Sequence, residues 1–427
     1  MNDESPITGH TWLSRIFHSD FVQGVAITFA NRGLLIALGM ISSVIVARGL
    51  GPEARGDWAY ISTLIGLVGQ FSLLGLQSAN VLYASQEPDT VPALLGNSLA
   101  TSLALGSVSF LGIAAYDGLL KGSGLSWYVL LCIYATVCVQ TCSYLFQNLL
   151  LGMHKIRSYN LTEFISQLVG VGATVLLFVT HRLSVDWLLS IGVAAAALCV
   201  VTAAAAILRT NKTLPRTDWG TFQKCLRYGW RVYLACVAAF FLARGELFLL
   251  EGQISAHDMG QYAVAYGVFS MATVLPSIIG TLLFPKLSVM DGEARWEGLL
   301  RTVWLSLPLL LAVTMLLWLA APIVVNLLYG KAYKESVIPF RILVLSLPAA
   351  GMCSLFSNYL ATWLFPAGLL AAYALLACGK AVVLAQPWTH ALPTLALLNL
   401  SVTCIQLICI MVAALVRSRA ERAAAIH

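Results

Sequence analysis

Residues 21–47 read FVQGVAITFANRGLLIALGMISSVIVA, with Arg32 as the single charge in the stretch. About 20 mostly apolar residues suffice to carry a helix across some 30 Å of hydrocarbon, so this segment is long enough to span a bilayer. Similar segments recur along the 427-residue chain, which is 59% hydrophobic and only 10% charged, with a mean hydropathy of +0.83. Lipid cannot satisfy backbone hydrogen bonds, so a spanning chain is helical or a closed barrel. Barrel strands alternate polar and apolar residues; these segments are continuously apolar. The pattern predicts an all-α, polytopic membrane protein with about twelve spans, near 21–47, 58–83, 93–115, 126–151, 160–180, 185–208, 226–250, 260–285, 302–328, 338–362, 364–384 and 392–416.

The distribution of Lys and Arg sets orientation. With the N-terminus inside, the cytoplasmic loops hold fourteen basic residues and the outer loops seven, with Lys380 near the outer edge. Both termini are therefore expected in the cytoplasm, and no removable signal sequence is visible in the polar first 20 residues. The longest polar connection, 209–225, is basic and lies near mid-chain. It divides the chain into a cytoplasmic segment 1–20, an N-terminal six-helix bundle 21–208, a cytoplasmic linker 209–225, a C-terminal six-helix bundle 226–417 and a tail 418–427. The halves also repeat: GDWA at 56–59 returns as GQYA at 260–263, 204 residues on. Six spans per half keep the copies parallel, the arrangement of two pseudo-symmetric bundles around a central cavity.

A charge in hydrocarbon is costly and marks function or a partner. Arg32, beside Asn31, lies about 16 Å into span one. It suits either an anchor for an anionic cargo or a pair with a carboxylate on another helix. Arg231 lies one turn into span seven, within reach of the cytoplasmic surface. Arg244 and Glu246 flank Gly245 near the outer end of that span, and residues two apart cannot pair side by side on a helix. Arg48 and Arg55 flank LGP after span one and are expected at the cavity mouth, in solvent. Span one holds no carboxylate, so the deep charge is positive and favours phosphate or pyrophosphate, which Arg grips with a planar fork. The candidate substrate-binding residues are thus Asn31, Arg32, Arg231, Arg244 and Glu246. Gln70, Gln77, Asn80, Gln140, Gln147 and Gln167 are read as helix-packing groups.

No P-loop, nucleophile elbow or HExxH motif is present, and no loop is long enough for a catalytic domain. Nine of ten cysteines lie in apolar spans with no CxxC pair. No enzyme activity, metal or cofactor is expected, and the scattered basic residues argue against a nucleic-acid partner.

The stretches RGLGPEARGDWAY (48–60) and LGLQSA (74–79), LARGE (242–246), MGQYAVA (259–265), FPKLS (284–288) and LGMHKIR (151–157) with Asn160 resemble, in order and spacing, the bacterial O-antigen-type polysaccharide flippases of the multidrug/oligosaccharidyl-lipid/polysaccharide exporter superfamily. The resemblance covers about 20–345. It implies alternating access of a central cavity. A polyprenyl-pyrophosphate-linked oligosaccharide would cross from the cytoplasmic to the outer leaflet of the inner membrane, with membrane lipids, a glycan polymerase and export machinery as partners. Arg32, Arg231 and Arg244 match the locations where arginines of spans one and seven line that cavity. The competing readings are an ion-coupled antiporter of small organic molecules, disfavoured by the missing carboxylate in span one, and a membrane glycan polymerase or ligase, disfavoured by the short outer loops.

Overall fold

The computed structural model describes residues 20–116, 126–212, 214–288, 290, 292–361 and 366–426. Among them the regular structure is helical, apart from an isolated bridge between Glu251 and Ile254. In chain order the helices are α1 Asp20–Ser72, α2 Leu76–Gln86, α3 Val91–Tyr116, α4 Trp127–Gly152, α5 Ile156–Val179, α6 Val185–Asn211, α7 Trp219–Leu249, α8 Ala256–Ala272, α9 Val274–Ser288, α10 Gly292–Tyr329, α11 Val337–Val344, α12 Leu347–Ala361, α13 Ala367–Leu384 and α14 Leu392–Ile426. Polar residues start several of them: Ser126, Ser184, Asp218 and Ser255 each accept a backbone N–H of the first turn.

Ten helices among the described residues are long and apolar enough to cross a membrane, and eleven with the bent pair α11–α12 taken as one span. The first of these hides two crossings. α1 has 53 residues, about 80 Å of helix, far more than a bilayer is thick. It is broken at Gly51, whose φ of 75° is left-handed and reachable without strain only by glycine. The chain turns back there, so spans one and two of the sequence reading are the two limbs of α1, the second continued by α2. Each of the twelve expected spans has a counterpart. The tenth differs most, being two helices bent by 47°. The uncharged connection expected between spans ten and eleven falls at 362–365, outside the described residues.

The expected linker is shorter than 209–225, because α6 runs to Asn211 and α7 starts at Trp219. Residues 216–218 are fastened to α3: Arg216 N–H donates to the Pro92 carbonyl (3.0 Å), and Asn97 exchanges two hydrogen bonds with the backbone of Asp218 (2.9 and 3.0 Å).

Where α1 turns back, the two halves cross. α1 packs along α8, and the contact is reciprocal: a Cβ on Gly56 would overlap the Ala256 carbonyl, and one on Gly260 would overlap the Pro52 carbonyl. Each pair is related to the other by the 204-residue offset of the GDWA/GQYA repeat, so the sequence repeat is a structural one. Around this crossing Tyr333 Oη donates to the Ala47 carbonyl (2.8 Å), and Arg48 donates to the carbonyls of Leu327 and Leu328 (2.5 and 2.7 Å). Arg48, which is exposed, therefore caps the C-terminus of α10, where a cation meets the negative end of the helix dipole. We call this closed region the Gly51 end.

The second fixed point lies inside the C-terminal half. Lys380 of α13 is fully buried and spends its three donors on Glu246 Oε2 (2.5 Å), the Leu242 carbonyl (2.6 Å) and Asn399 Oδ1 (3.0 Å). Glu246 Oε1 accepts from Asn399 Nδ2 (2.6 Å) and Tyr262 Oη (3.1 Å). One polar knot thus ties α7, α8, α13 and α14. Lys380 is buried in protein, because this buried carboxylate compensates it.

Two outcomes follow from these contacts. Gly56→Ala or Gly260→Ala forces the halves apart at the Gly51 end, so spin labels placed across it should show a longer, broader distance distribution than wild type. Lys380→Met leaves Glu246 buried and unpaired and should cost about 3–5 kcal/mol of stability, read as a fall in melting temperature in detergent, with Glu246→Gln/Lys380→Met recovering a large part.

Candidate functional site

Three helices turn polar faces toward one cavity. On α4 the residues Thr136, Gln140, Ser143, Tyr144 and Gln147 recur at the three- and four-residue spacing of one helix face. On α5 Glu163, Ser166 and Gln167 do the same, and on the second limb of α1 Trp58, Ser62 and Gly66. Together with α6 they enclose a cavity of about 470 Å³ in the N-terminal half, and Arg244 of α7 reaches it from the other half. The lining offers amide and hydroxyl groups, an aromatic ring at Trp58, one carboxylate and one guanidinium. Such a wall suits a hydroxyl-rich, anionic ligand better than an apolar one.

Part of the polar lining is already committed. Ser166 Oγ donates to the Ala195 carbonyl (2.6 Å) and Gln147 Nε2 to Cys199 Sγ (2.9 Å). Gln140 is exposed. Glu163 uses one oxygen only: Oε1 accepts from Arg32 Nη1 (2.8 Å), while Oε2 is buried without a hydrogen-bond partner among the described residues. Arg244, which meets Tyr266 and has no carboxylate partner among the described residues, faces the same cavity.

Of the two readings of Arg32, the structure displays the ion pair. Its guanidinium also donates to the Tyr159 hydroxyl and lies 5.8 Å from that ring's centroid. Neighbouring Asn31 donates weakly to Asn160 (3.5 Å to both its backbone and side-chain oxygens). Both residues therefore brace α1 against α5, at the edge of the cavity. Arg231 is exposed, 5.3 Å from the ring centroid of Trp230, and is not among the residues lining the cavity. Glu246 does not join Arg244. Its side chain points the other way round α7, into the buried knot with Lys380, which removes it from the binding surface. Arg244 rests over Tyr266, 5.8 Å from the ring centroid. Arg55 is half-buried, with its Nε buried and without a hydrogen-bond partner among the described residues.

The glutamines read as packing groups divide. Asn80 packs, donating to Ser98 Oγ (2.9 Å), and Gln77 is buried. Gln140, Gln147 and Gln167 line the cavity. The signal for them lay in register: an unbroken polar stripe on α4, an otherwise apolar helix. Judged one position at a time, that stripe is invisible.

A double-mutant cycle separates bracing from binding at Arg32. Arg32→Gln strands Glu163 and should lower stability by about 1 kcal/mol, a small value because Arg32 is 46% exposed. Arg32→Gln/Glu163→Gln should return the melting temperature to near that of wild type.

Comparison with known proteins places this architecture. Residues 21–291 match the family model described as polysaccharide biosynthesis protein. The succinoglycan biosynthesis transport protein ExoT of Rhizobium meliloti (strain 1021) is 24% identical over 336 residues, 76% of this chain and 65% of that protein, so the chain matches under two thirds of its curated relative's length. Among solved structures, an inward-facing multidrug resistance MATE family transporter of the MOP superfamily superposes with a TM-score of 0.68 at 15% identity, covering 91% of this chain and 95% of that one. The lipid II flippase MurJ in an inward closed conformation also gives 0.68, at 13% identity, over 92% and 87%. An outward-facing MATE transporter gives 0.56 at 14% identity, over 93% and 94%. With the transporter fold shared and more than half of its length matched by the family model, this multi-pass membrane chain belongs to the polysaccharide biosynthesis protein family.

Proposed function

We propose that the protein is a flippase that carries a polyprenyl-pyrophosphate-linked oligosaccharide from the cytoplasmic to the outer leaflet of a bacterial inner membrane during cell-surface polysaccharide synthesis. The observation that carries this reading is the cavity of the N-terminal half, whose wall is rich in amides and hydroxyls and which Arg244 of the other half reaches with a cation. A glycan needs many donors and acceptors, and a pyrophosphate needs a guanidinium. The same wall argues against an antiporter of organic cations, because its carboxylate, Glu163, is already paired with Arg32.

Orientation completes the reading. The twofold excess of Lys and Arg puts both termini in the cytoplasm, so the Gly51 end faces outward and is shut. Two bundles, 21–208 and 226–417, then rock about the cavity, joined through the basic linker. The glycan polymerase and export machinery act on the product after release.

The test is the lipid pool of host cells, extracted and read by mass spectrometry. Deletion of the gene should accumulate one completed oligosaccharide on its polyprenyl carrier. Wild type should clear it and Arg244→Gln should clear it at least about tenfold more slowly, the loss of one charge-assisted contact. A pool that deletion leaves unchanged, in cells with no second flippase, contradicts the assignment.

A further inference from the structure

A second hollow lies in the C-terminal half and shares no lining residue with the polar cavity. It is a groove of about 780 Å³, bounded by Leu360 at the end of α12, Gly368 and Ala372 at the start of α13, and Cys409, Val416 and Arg417 along α14. The α14 wall follows the three- and four-residue steps of one helix face. The groove is apolar throughout, except that Arg417, which is exposed, carries the sole charge among the described lining residues. The polar cavity is walled by amides and hydroxyls; this one has the opposite chemistry.

Its shape follows from where the helices are tied. Deeper in the bundle α13 and α14 are joined by Lys380 and Asn399 (3.0 Å). The end of α14 is fixed separately, on α10: Arg295 reaches Glu421 (3.5 Å) and donates to the carbonyls of Leu287 (2.9 Å) and Met290 (2.8 Å). Between these two ties the start of α13 stands off α14 and leaves the groove. Both of its positive features are at one end. Arg417 is near the end of α14, and α13 begins at Pro366 without a side-chain cap, which leaves the positive end of its dipole open. In the other direction the wall runs apolar from Arg417 back to Cys409, eight residues or about 12 Å of helix. That is most of one leaflet's half of a hydrocarbon core about 30 Å thick, and α14 is one of the helices able to span it.

We propose that this groove holds a resident anionic phospholipid, with one acyl chain along α14 and its phosphate on Arg417. Charge complementarity selects the occupant: a ligand anionic at one end and apolar for about one leaflet beyond it is a lipid of that leaflet. On the orientation proposed above, the leaflet is the cytoplasmic one. The lipid is a structural partner and not cargo, since the groove is apart from the polar cavity, and the site does not depend on the flippase reading. Filling the groove braces α13 against α14 at one end, as Lys380 and Asn399 brace them deeper in the bundle. A lipid that binds the folded chain alone stabilises it by mass action.

The test uses the purified full chain, delipidated in detergent and titrated with phosphatidylglycerol or phosphatidylcholine. Native mass spectrometry counts bound lipid, and the melting temperature checks folding and reports stabilisation. Wild type should keep one phosphatidylglycerol under conditions that strip phosphatidylcholine, and phosphatidylglycerol should raise its melting temperature. Arg417→Gln should weaken that binding about fivefold or more, the contribution of one basic residue beside an anionic lipid. Val412→Trp, which fills the groove from an exposed position on α14, should abolish it. Arg419→Gln removes the same charge from an exposed position outside the groove and should leave binding unchanged. Equal losses at Arg417 and Arg419 make the attraction diffuse and overturn the site. Equal retention of phosphatidylcholine overturns the anionic assignment. A thermal shift reproduced by inorganic phosphate assigns Arg417 to a free anion and overturns the lipid, and displacement by farnesyl pyrophosphate gives the groove to the cargo's carrier and overturns a resident lipid. Clearance of the lipid pool in cells reports on the flippase reading separately.

Discussion

A charge inside hydrocarbon must be neutralised by the protein, reach water, or be met by a ligand. That constraint sorts the candidate cations around the site. Lys380 is neutralised by Glu246 in a knot that satisfies every donor and acceptor. Arg32 is neutralised by Glu163, and Arg48 by the carbonyls at the end of α10. Arg231 is exposed beside Trp230. Arg244 is left, and it lines the polar cavity. The functional surface is defined by what the protein does not compensate, more than by which charge is deepest.

The same logic explains how the halves are joined. Glycine against a carbonyl lets backbones approach more closely than side chains permit, the principle of small-residue packing in membranes. It is used at Gly56 and Gly260 in reciprocal positions, and again at Gly75 against Gly229. The second contact, with the Lys224–Glu87 pair (2.6 Å) and Cys225 in the N-terminal core, fastens the first turns of α7 to the N-terminal half. The last turns are fastened to the C-terminal half through Glu246. α7 is thus held by both halves, and it carries Arg244 at the point where they face each other.

Much of the fold was legible because hydrophobic length is a local property. The expected spans fall on ten to eleven candidate crossings, twelve once α1 is divided at Gly51, and the 204-residue repeat proved to be a contact between its own two copies. The site was less legible, since partners in a membrane bundle are distant in sequence. Arg32 and Glu163 lie on different helices, as do Glu246, Lys380 and Asn399. Nothing in the residues near Glu246 announces that its carboxylate turns away from Arg244. Nothing near Lys380 announces that it is buried. The polar stripe of α4 was available to periodicity alone, and Arg55 was hidden because a residue beside a glycine-proline turn reads as loop. Its helical register becomes visible only after the break is fixed at Gly51.

The central claim is that this single chain moves a lipid-borne anionic glycan between leaflets through the cavity bounded by Arg244 and the α4 stripe. The most direct measurement is translocation in proteoliposomes holding the purified protein and a fluorescent sugar on a short polyprenyl pyrophosphate, with reagent quenching of the outer leaflet as the readout. The account predicts protein-dependent transfer of the label between leaflets, abolished when the polar stripe is replaced by leucines in a variant that still folds. Leaflet asymmetry that persists with folded wild-type protein, under either a proton or a sodium gradient, contradicts it.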